Sequence, residues 1–241
     1  MRTTKIEWTE RTWNPVTGCD KISEGCAHCY AENMARRLCA MHTKKYANGF
    51  KVTTHEESLK EPFSWYKPST IFVCSMGDLF HEDVPFEFVD KVMNVIKMTP
   101  KHKYQILTKR AERMAEYFAT RLIPSNAWLG VTVEVERTKF RMDYLRNLKA
   151  SVKFLSCEPL LSDLGNMDLT GIDWVIVGGE SGTSARPMKE EWALNIKTQA
   201  EKSNVPFFFK QWGTWGQDGI KRNKKANGKL LQGKVIQNMP K

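Results

Sequence analysis

Apolar positions along the chain form short continuous runs that alternate with segments of helical periodicity. The runs predict strands at residues 70–75, 104–108, 128–134, 152–156, 174–178 and 207–210, with an earlier strand at 5–8 or 12–13. The periodic segments predict helices at 31–42 and 86–98, from 111 to about 122, up to 148, and at 190–202. Strands that alternate with helices at this spacing indicate parallel βαβ units.

A loop with three cysteines follows the first predicted strand. Cys19, Cys26 and Cys29 have the spacing C-x6-C-x2-C within a glycine-punctuated stretch. Thiolates crowded this closely favour a disulfide partner or a soft metal. A closed zinc site needs four ligands, and so does an iron–sulfur cubane in which the protein ligates every iron. Three cysteines would therefore leave one metal open to a small molecule.

A structural zinc site is the alternative interpretation of this loop, and it requires a distant fourth ligand. Cys39, Cys74, Cys157 and His55 are the candidates. His28 is a poor one, because it lies between two ligands on a tight turn. Cys39 falls in an apolar helical stripe and suits a small buried residue. Cys74 and Cys157 are expected to pack in strands, although Cys157 could also face a cavity.

Composition narrows the classes of protein that the chain can be. A length of 241 residues accommodates one sizeable core. The sequence shows neither an apolar run of membrane-spanning length nor a signal-peptide core, so we expect a cytoplasmic protein without a membrane partner. Six cysteines in a reducing compartment favour metal binding or buried thiols over disulfides. The net charge of +10 fits either solubility or a polyanionic partner, nucleic acid first.

Polar or charged residues follow most of the predicted strands. In parallel α/β barrels and open sheets the functional site is built from the carboxyl ends of the strands. For Asp78, Glu134 and Glu180 the alternative role is a cap on the following helix. The residues at these ends are Cys19, Asp78, Lys109, Glu134, Glu158, Glu180 and Lys210.

The predicted domain organisation is a barrel at residues 1–213, with an irregular insertion or lid at about 43–68, and a basic C-terminal extension at 214–241 packed on the barrel. Tryptophans beside a basic stretch suit single-stranded nucleic acid or a flipped base. The alternative is a solvated tail whose tryptophans cap the core. The candidate nucleic-acid contacts are Lys109, Arg110, Arg186, Trp212, Trp215, Lys221, Arg222, Lys224 and Lys225.

A metal loop after the first strand of a partial barrel resembles the radical S-adenosylmethionine (SAM) enzymes. The chain has six residues between its first two cysteines where that superfamily usually has three. It is similar to the phage-associated radical SAM family with a three-cysteine motif. The stretches that carry the resemblance are Trp13-Asn-Pro-Val-Thr-Gly-Cys19, Met76-Gly-Asp-Leu-Phe-His81, Ser156-Cys-Glu-Pro159, Gly178-Gly-Glu-Ser-Gly182, Ala185-Arg-Pro187 and Phe208-Phe-Lys-Gln-Trp-Gly213.

The resemblance implies the fold class and the cofactors. The fold would be α/β, a partial (β/α)6-7 TIM-like barrel of the radical SAM type. Cys19, Cys26 and Cys29 would bind a [4Fe-4S] cluster whose open iron takes the amino and carboxylate groups of SAM. Gly77 and Asp78 would meet the methionine amino group, Thr132 and Glu134 the carboxylate or ribose, and Gly178, Gly179 and Glu180 the adenine.

The resemblance also implies an activity. Relatives of this type occur beside thymidine-modifying genes, so the expected reaction is isomerisation of a glycyl adduct of thymidine in phage DNA hypermodification. The substrate would be DNA or a modified nucleotide, the electron donor a flavodoxin or ferredoxin, and the location the host cytoplasm if a phage encodes the chain. The alternatives are a lesion-repair enzyme like spore photoproduct lyase and a zinc-stabilised nucleic-acid-binding module without catalysis.

Overall fold

Eleven strands and six α-helices lie within residues 4–240, which are the residues that the computed structural model describes. The strands are β1 (Arg11–Trp13), β2 (Val16–Thr17), β3 (Thr53–Thr54), β4 (Thr70–Val73), β5 (Lys103–Thr108), β6 (Ala127–Thr132), β7 (Val152–Cys157), β8 (Trp174–Gly178), β9 (Phe207–Gln211), β10 (Leu230–Leu231) and β11 (Lys234–Val235). The helices are α1 (Tyr30–Ala40), α2 (Phe86–Met98), α3 (Ala111–Phe118), α4 (Arg141–Arg146), α5 (Glu190–Lys202) and α6 (Lys224–Asn227). Short 3-10 helices occupy Glu24–Cys26, Lys44–Tyr46, Glu56–Ser64 and Glu136–Thr138.

Seven of the strands form one sheet in the order β1-β4-β5-β6-β7-β8-β9. The pairs β1–β4, β4–β5, β7–β8 and β8–β9 are parallel. Apart from the two short strands after β1, the order follows the chain, as successive βαβ units require. The predicted fold class, an α/β partial TIM-like barrel, is confirmed.

The chain divides into two compact units, and the first comprises residues 4–22, Cys29–Gly130 and Leu148–Ser151. Its sheet strands β1, β4 and β5 end at Trp13, Val73 and Thr108, and a polar residue follows each within two positions. Helix α2 packs through apolar residues at helical spacing, with Val89, Val92 and Ile96 fully buried. This spacing explains why residues 86–98 were predictable to both ends.

The second unit comprises Ser23–His28, Val131–Asn147 and the described chain from Val152 onward. Its C-terminal segment contacts strand β9. The Phe209 amide donates to the Ile236 carbonyl at 2.7 Å, and the Asn238 amide donates to the Phe207 carbonyl at 3.1 Å. The Trp174 indole also donates to the Asn238 carbonyl at 2.9 Å. A separate extension at 214–241 stays a prediction.

Three predicted helices differ from the structure in their bounds, and the first of them, predicted at 31–42, is α1 at Tyr30–Ala40. The helix predicted to end near residue 122 ends at Phe118, and the one predicted up to residue 148 is a 3-10 turn followed by the six-residue α4. The insertion at 43–68 contains two 3-10 helices and β3. Pro62 lies inside the second of them and has no amide to donate, which disfavours a longer α-helix there.

Candidate functional site

The first part of the cysteine loop lies in the first unit, where glycines permit close backbone contact. Gly18 has a φ of 86°, and its amide donates to the Met76 carbonyl at 2.9 Å. A Cβ on Gly18 would lie 2.2 Å from the Lys51 carbonyl oxygen, and one on Gly77 would lie 2.9 Å from the Gly18 carbonyl oxygen. Packing against the loop therefore accounts for the glycine at position 77, while its predicted cofactor contact stays a prediction.

Asp78 is a buried carboxylate that follows β4 and connects two turns of the first unit. The Thr108 hydroxyl donates to its oxygens at 2.7 and 2.9 Å, and the amides of Phe80 and Lys109 donate at 3.0 and 3.2 Å. The guanidinium of Arg110 lies 3.5 Å from its Oδ2 atom. These donors give Asp78 a structural role at the start of α3, and its role toward a methionine amino group stays a prediction.

Arg110 is buried beside the first cysteine. Its Nη1 atom lies 3.4 Å from Cys19 Sγ, and its Nε atom donates to both Glu82 oxygens at 3.1 and 3.0 Å. Burial alone would lower the pKa of this guanidinium, but Asp78, the Cys19 sulfur and Glu82 raise it overall. Only 6% of the residue is exposed, and its contact with nucleic acid stays a prediction.

Helix α1 fixes the third cysteine. Cys29 is the residue before the helix, and its carbonyl accepts from the Asn33 amide at 3.3 Å. The neighbouring Tyr30 hydroxyl donates to the Ser75 carbonyl. On its buried face, α1 packs Ala31 and Ala35 into a small cluster of the first unit, which fixes the position of Cys29 at the start of the helix.

The second unit contains the middle of the loop, and Glu134 lies beneath it. This carboxylate is fully buried and accepts hydrogen bonds from the Ser23 hydroxyl and from Arg141 Nη1, the latter at 2.8 Å. A Cβ on Gly25 would lie 2.9 Å from Glu134 Oε1. The Ser23 hydroxyl also lies 3.7 Å from Cys26 Sγ. Glu134 thus holds the 3-10 turn that carries the second cysteine.

Glu180, which follows β8, fastens the same turn from another side. Arg186 donates to it through its amide, Nε and Nη2 at 2.7, 2.9 and 2.6 Å, and Nη2 also reaches the Glu24 carbonyl at 2.9 Å. His28 Nδ1 lies 3.3 Å from Glu180. Burial alone would raise the pKa of Glu180, but the hydrogen bonds from Arg186 and His28 lower it overall. Its oxygens are therefore committed to the loop and Arg186.

Sequence reasoning missed Ser23, Arg141 and the role of His28. A signal for Arg141 was present, because Glu134 closely follows β6 and an arginine begins the next helix. In the same way, Arg186 follows Glu180 after β8. Buried carboxylates need a partner of opposite charge, so an arginine soon after such a strand is a candidate for that role. Nothing in the pattern around Ser23 distinguished it from an ordinary loop serine.

The remaining cysteines differ from those of the loop. Burial raises the pKa of Cys74 to about 12, and burial also raises the pKa of Cys157. Such thiols stay protonated, and the thiolate is the form that binds a metal. His55 Nε2 lies 2.8 Å from the Thr17 hydroxyl in a buried contact. None of the six cysteines, all of which lie in the described part of the chain, forms a disulfide.

The glycines predicted to meet adenine lie against other parts of the second unit. A Cβ on Gly178 would lie 2.8 Å from Glu158 Oε1, and one on Gly179 would lie 1.9 Å from the Trp212 carbonyl oxygen. Glu158 also forms an ion pair with Lys210 at 2.8 Å. Both residues were predicted to lie at the carboxyl ends of strands. Close packing accounts for both glycines, and their contact with adenine stays a prediction. Thr132 is buried at the end of β6, and its carbonyl accepts from the Arg141 guanidinium at 2.8 Å.

The predicted nucleic-acid contacts fall into buried and exposed groups. Trp212 is 2% exposed and its indole donates to the Leu230 carbonyl at 2.8 Å, and its stacking on a base stays a prediction. Trp215 is half-buried, and the Lys221 ammonium lies 5.7 Å from its ring centroid. Lys109 is half-buried beside Asp78, and Arg186 is engaged with Glu180. The exposed basic residues are Lys221, Arg222, Lys224 and Lys225, of which Arg222 pairs with Asp218.

Residues 3–240 match the family described as "Protein of unknown function (DUF5131)", and the chain belongs to that family. No curated protein matches the chain significantly. Among solved structures, a single-site variant of spore photoproduct lyase is similar at a TM-score of 0.50 and 12% identity, over 96% of this chain and 75% of that one. This likeness shows a shared fold.

Two further structures of spore photoproduct lyase are similar at a TM-score of 0.46 and 10% identity. One contains bound AdoMet and dinucleoside spore photoproduct, and it is matched over 80% of this chain and 62% of its own. The other is a complex with dinucleoside spore photoproduct, matched over 83% and 65%. The chain thus spans less than two thirds of the length of these two relatives. Within residues 4–240, no helix has the length and apolar character that crossing a bilayer requires.

Replacing Glu134 with alanine is expected to destabilise the second unit strongly. The change removes the partner of the buried Arg141 guanidinium, and an uncompensated buried charge costs about 3–5 kcal/mol. Glu136→Ala is the matched control, because Glu136 is exposed and its pair with Lys139 contributes at most about 1 kcal/mol. Urea unfolding of both variants measures the difference. Equal stabilities of the two variants would contradict the anchoring role of Glu134.

Proposed function

We propose that the chain is a radical SAM enzyme whose loop cysteines, Cys19, Cys26 and Cys29, bind a [4Fe-4S] cluster. The observation that carries the proposal is the contrast between these three half-buried cysteines on one anchored loop and the buried thiols of Cys74 and Cys157. Three ligands leave one iron for a small molecule. The fold shared with spore photoproduct lyase supports the same interpretation.

Residues at or after the carboxyl ends of the sheet strands are proposed to bind SAM. We infer that Gly77 and Asp78 meet the methionine amino group, that Thr132 and Glu134 lie near the carboxylate or ribose, and that Gly178 to Glu180 line the adenine. When bound, the reduced cluster supplies the electron that cleaves SAM to a 5′-deoxyadenosyl radical. The electron would come from a flavodoxin or ferredoxin, in the cytoplasm of the cell that expresses the protein.

The proposed substrate is a modified nucleobase in DNA or in a nucleotide. The proposed reaction is isomerisation of a glycyl adduct of thymidine during phage DNA hypermodification. The exposed basic residues of the segment Lys221–Lys225 support a phosphate-bearing substrate, since they concentrate positive charge on one short stretch of a chain whose net charge is +10. Hydrogen abstraction at a glycyl α-carbon gives a stabilised radical, after which the bond to the base can move from nitrogen to carbon.

Repair of a DNA lesion is the second candidate function. The observation that favours it is the structural likeness to spore photoproduct lyase, one structure of which contains dinucleoside spore photoproduct. Product analysis separates the two candidates. An isomerase converts an N-linked glycyl thymidine into its C-linked isomer, and a lyase of that type restores two thymidines from a dinucleoside. A zinc-stabilised nucleic-acid-binding module, the third candidate, would hold zinc and convert neither substrate.

Anaerobic reconstitution is expected to load about four irons and four sulfides per chain, as one cubane cluster requires. The variant with Cys19, Cys26 and Cys29 all changed to alanine should lose the cluster and its brown absorbance. Cys39→Ala is the matched control and should retain both, because Cys39 lies beyond the loop on α1. Reduced wild-type protein with SAM should release 5′-deoxyadenosine. Stoichiometric zinc without iron uptake would contradict the proposal.

Binding to DNA is expected to weaken with salt if Lys224 and Lys225 contact phosphates. Changing both to alanine should reduce the slope of log affinity against log salt by roughly 0.7–0.9 per lost contact. Trp215→Ala should leave that slope nearly unchanged and should cost about 1–3 kcal/mol only if a base stacks on the ring. Titration of single- and double-stranded DNA at several salt concentrations measures both effects. If neither variant changes affinity, the basic segment does not bind DNA, and a free nucleotide becomes the better substrate.

A further inference from the structure

Arg110 is a buried cation in direct contact with a proposed cluster ligand. Its side chain is 4% exposed, and Nη1 lies 3.4 Å from Cys19 Sγ. The remaining contacts are with carboxylates, at 3.5 Å to Asp78 and at 3.0 Å to Glu82. A guanidinium donates through a rigid planar fork, so a carboxylate that binds one nitrogen also sets the direction of the others. Glu82 binds Nε and thereby helps to aim Nη1 at the sulfur, while Asp78 lies beside the same Nη1 atom.

The second terminal nitrogen of Arg110 is the observation that points to a bound group. Nη2 is buried and has no hydrogen-bond acceptor within residues 4–240. Buried donors in proteins almost always have an acceptor, and an unmatched one costs about 1–3 kcal/mol. The inorganic sulfides of a cluster bound to Cys19 are acceptors of the required kind. The donor set around Cys19 therefore fits an anionic sulfur cluster better than it fits a protonated thiol.

Charge explains what this contact would do. Reduction adds one negative charge to a cluster that is already bound by three thiolates. Asp78 and Glu82 on the same side of the loop would oppose that charge if they were not paired with a cation. Arg110 neutralises part of their charge and donates to the cysteine sulfur, and hydrogen bonds to the ligand sulfurs are among the factors that set the reduction potential of such clusters. Burial leaves the interaction poorly screened by salt.

We propose that Arg110 raises the reduction potential of the cluster through its hydrogen bond to the Cys19 sulfur and through its positive charge. This inference rests on the proposed function, because it requires a cluster on the three cysteines. Arg110 acts through the cluster: Nη1 meets the Cys19 sulfur and, by this inference, Nη2 meets a cluster sulfide, so its effect reaches the reaction through the electron affinity of the cluster. It accounts for an arginine in a position that the sequence alone suggested for phosphate binding.

The test is a redox titration of the reconstituted protein with dithionite, followed by electron paramagnetic resonance of the reduced cluster. Arg110→Gln removes the charge. At a fixed potential near the wild-type midpoint, we expect the ratio of reduced to oxidised cluster to fall about tenfold, which corresponds to a shift in the midpoint potential of about 59 mV for a one-electron couple. Arg110→Lys keeps a charge that can pair with Asp78 but removes the fork, and a smaller fall of about threefold is expected.

Arg113→Gln is the matched control. Arg113 lies three residues further along α3, and its guanidinium donates to the carbonyls of His81, Glu82 and Val84 at 3.3, 3.4 and 2.9 Å. The Arg113→Gln substitution should leave the midpoint potential of the cluster unchanged. Arg110→Lys also covers the outcome in which Arg110→Gln fails to fold, because it retains the partner of Asp78.

Iron and sulfide content separates this inference from the proposed function. If the wild-type protein binds no cluster, the proposed function fails. If the Arg110 variants bind a full cluster with the wild-type midpoint, only the role of Arg110 is overturned. A midpoint that falls equally in Arg113→Gln would also overturn it, because the shift would then reflect loss of any arginine near the start of α3.

Discussion

A buried carboxylate must be matched by a cation or by several donors, and this requirement organises the chain around its cysteine loop. Three acidic residues follow strands of the sheet and are almost completely buried. Each is bound by an arginine from a later position in its own unit, and each arrangement includes an atom of the loop. The pairs are Asp78 with Arg110, Glu134 with Arg141, and Glu180 with Arg186.

These pairs do different work within the two units. In the first unit, Arg110 reaches the Cys19 sulfur itself while Asp78 joins the turns after β4 and β5. In the second unit, Glu134 holds the 3-10 turn that carries Cys26 through Ser23. Glu180 holds the same turn through His28 and through Arg186, which donates to the Glu24 carbonyl. Breaking such a pair leaves a buried charge, which is far more costly than losing a surface ion pair. The loop is therefore held in place without any disulfide among the described cysteines.

Much of the fold followed from periodicity, because buried helices and parallel strands leave strong apolar patterns. Helices α2 and α5 and strand β8 were predicted with their observed ends. The short α4 was not, since a 3-10 turn and a six-residue helix leave almost no periodic signal. The positions of Asp78, Glu134 and Glu180 after strands were predictable, but most of the groups that bind each carboxylate were not.

Residue type alone does not show where charged and aromatic side chains lie in the fold. Arg110 and Trp212 suited phosphate contact and base stacking as residue types, and both are buried against protein partners. Their contacts with nucleic acid stay predictions. The sequence identifies an arginine as a charged residue, but it does not show which carboxylates surround that arginine in the fold. The basic segment near Lys224 is exposed, unlike Arg110 and Trp212. Short polar stretches between turns are usually accessible to solvent.

The central claim is that three cysteines hold a cluster with one iron left for a small molecule. Mössbauer spectroscopy of protein reconstituted with enriched iron tests it most directly, recorded with and without SAM. The account predicts that about a quarter of the iron signal, that of the single iron without a cysteine ligand, changes its parameters when SAM binds. A spectrum in which no iron responds to SAM, or a protein that takes up zinc in place of iron, would contradict it.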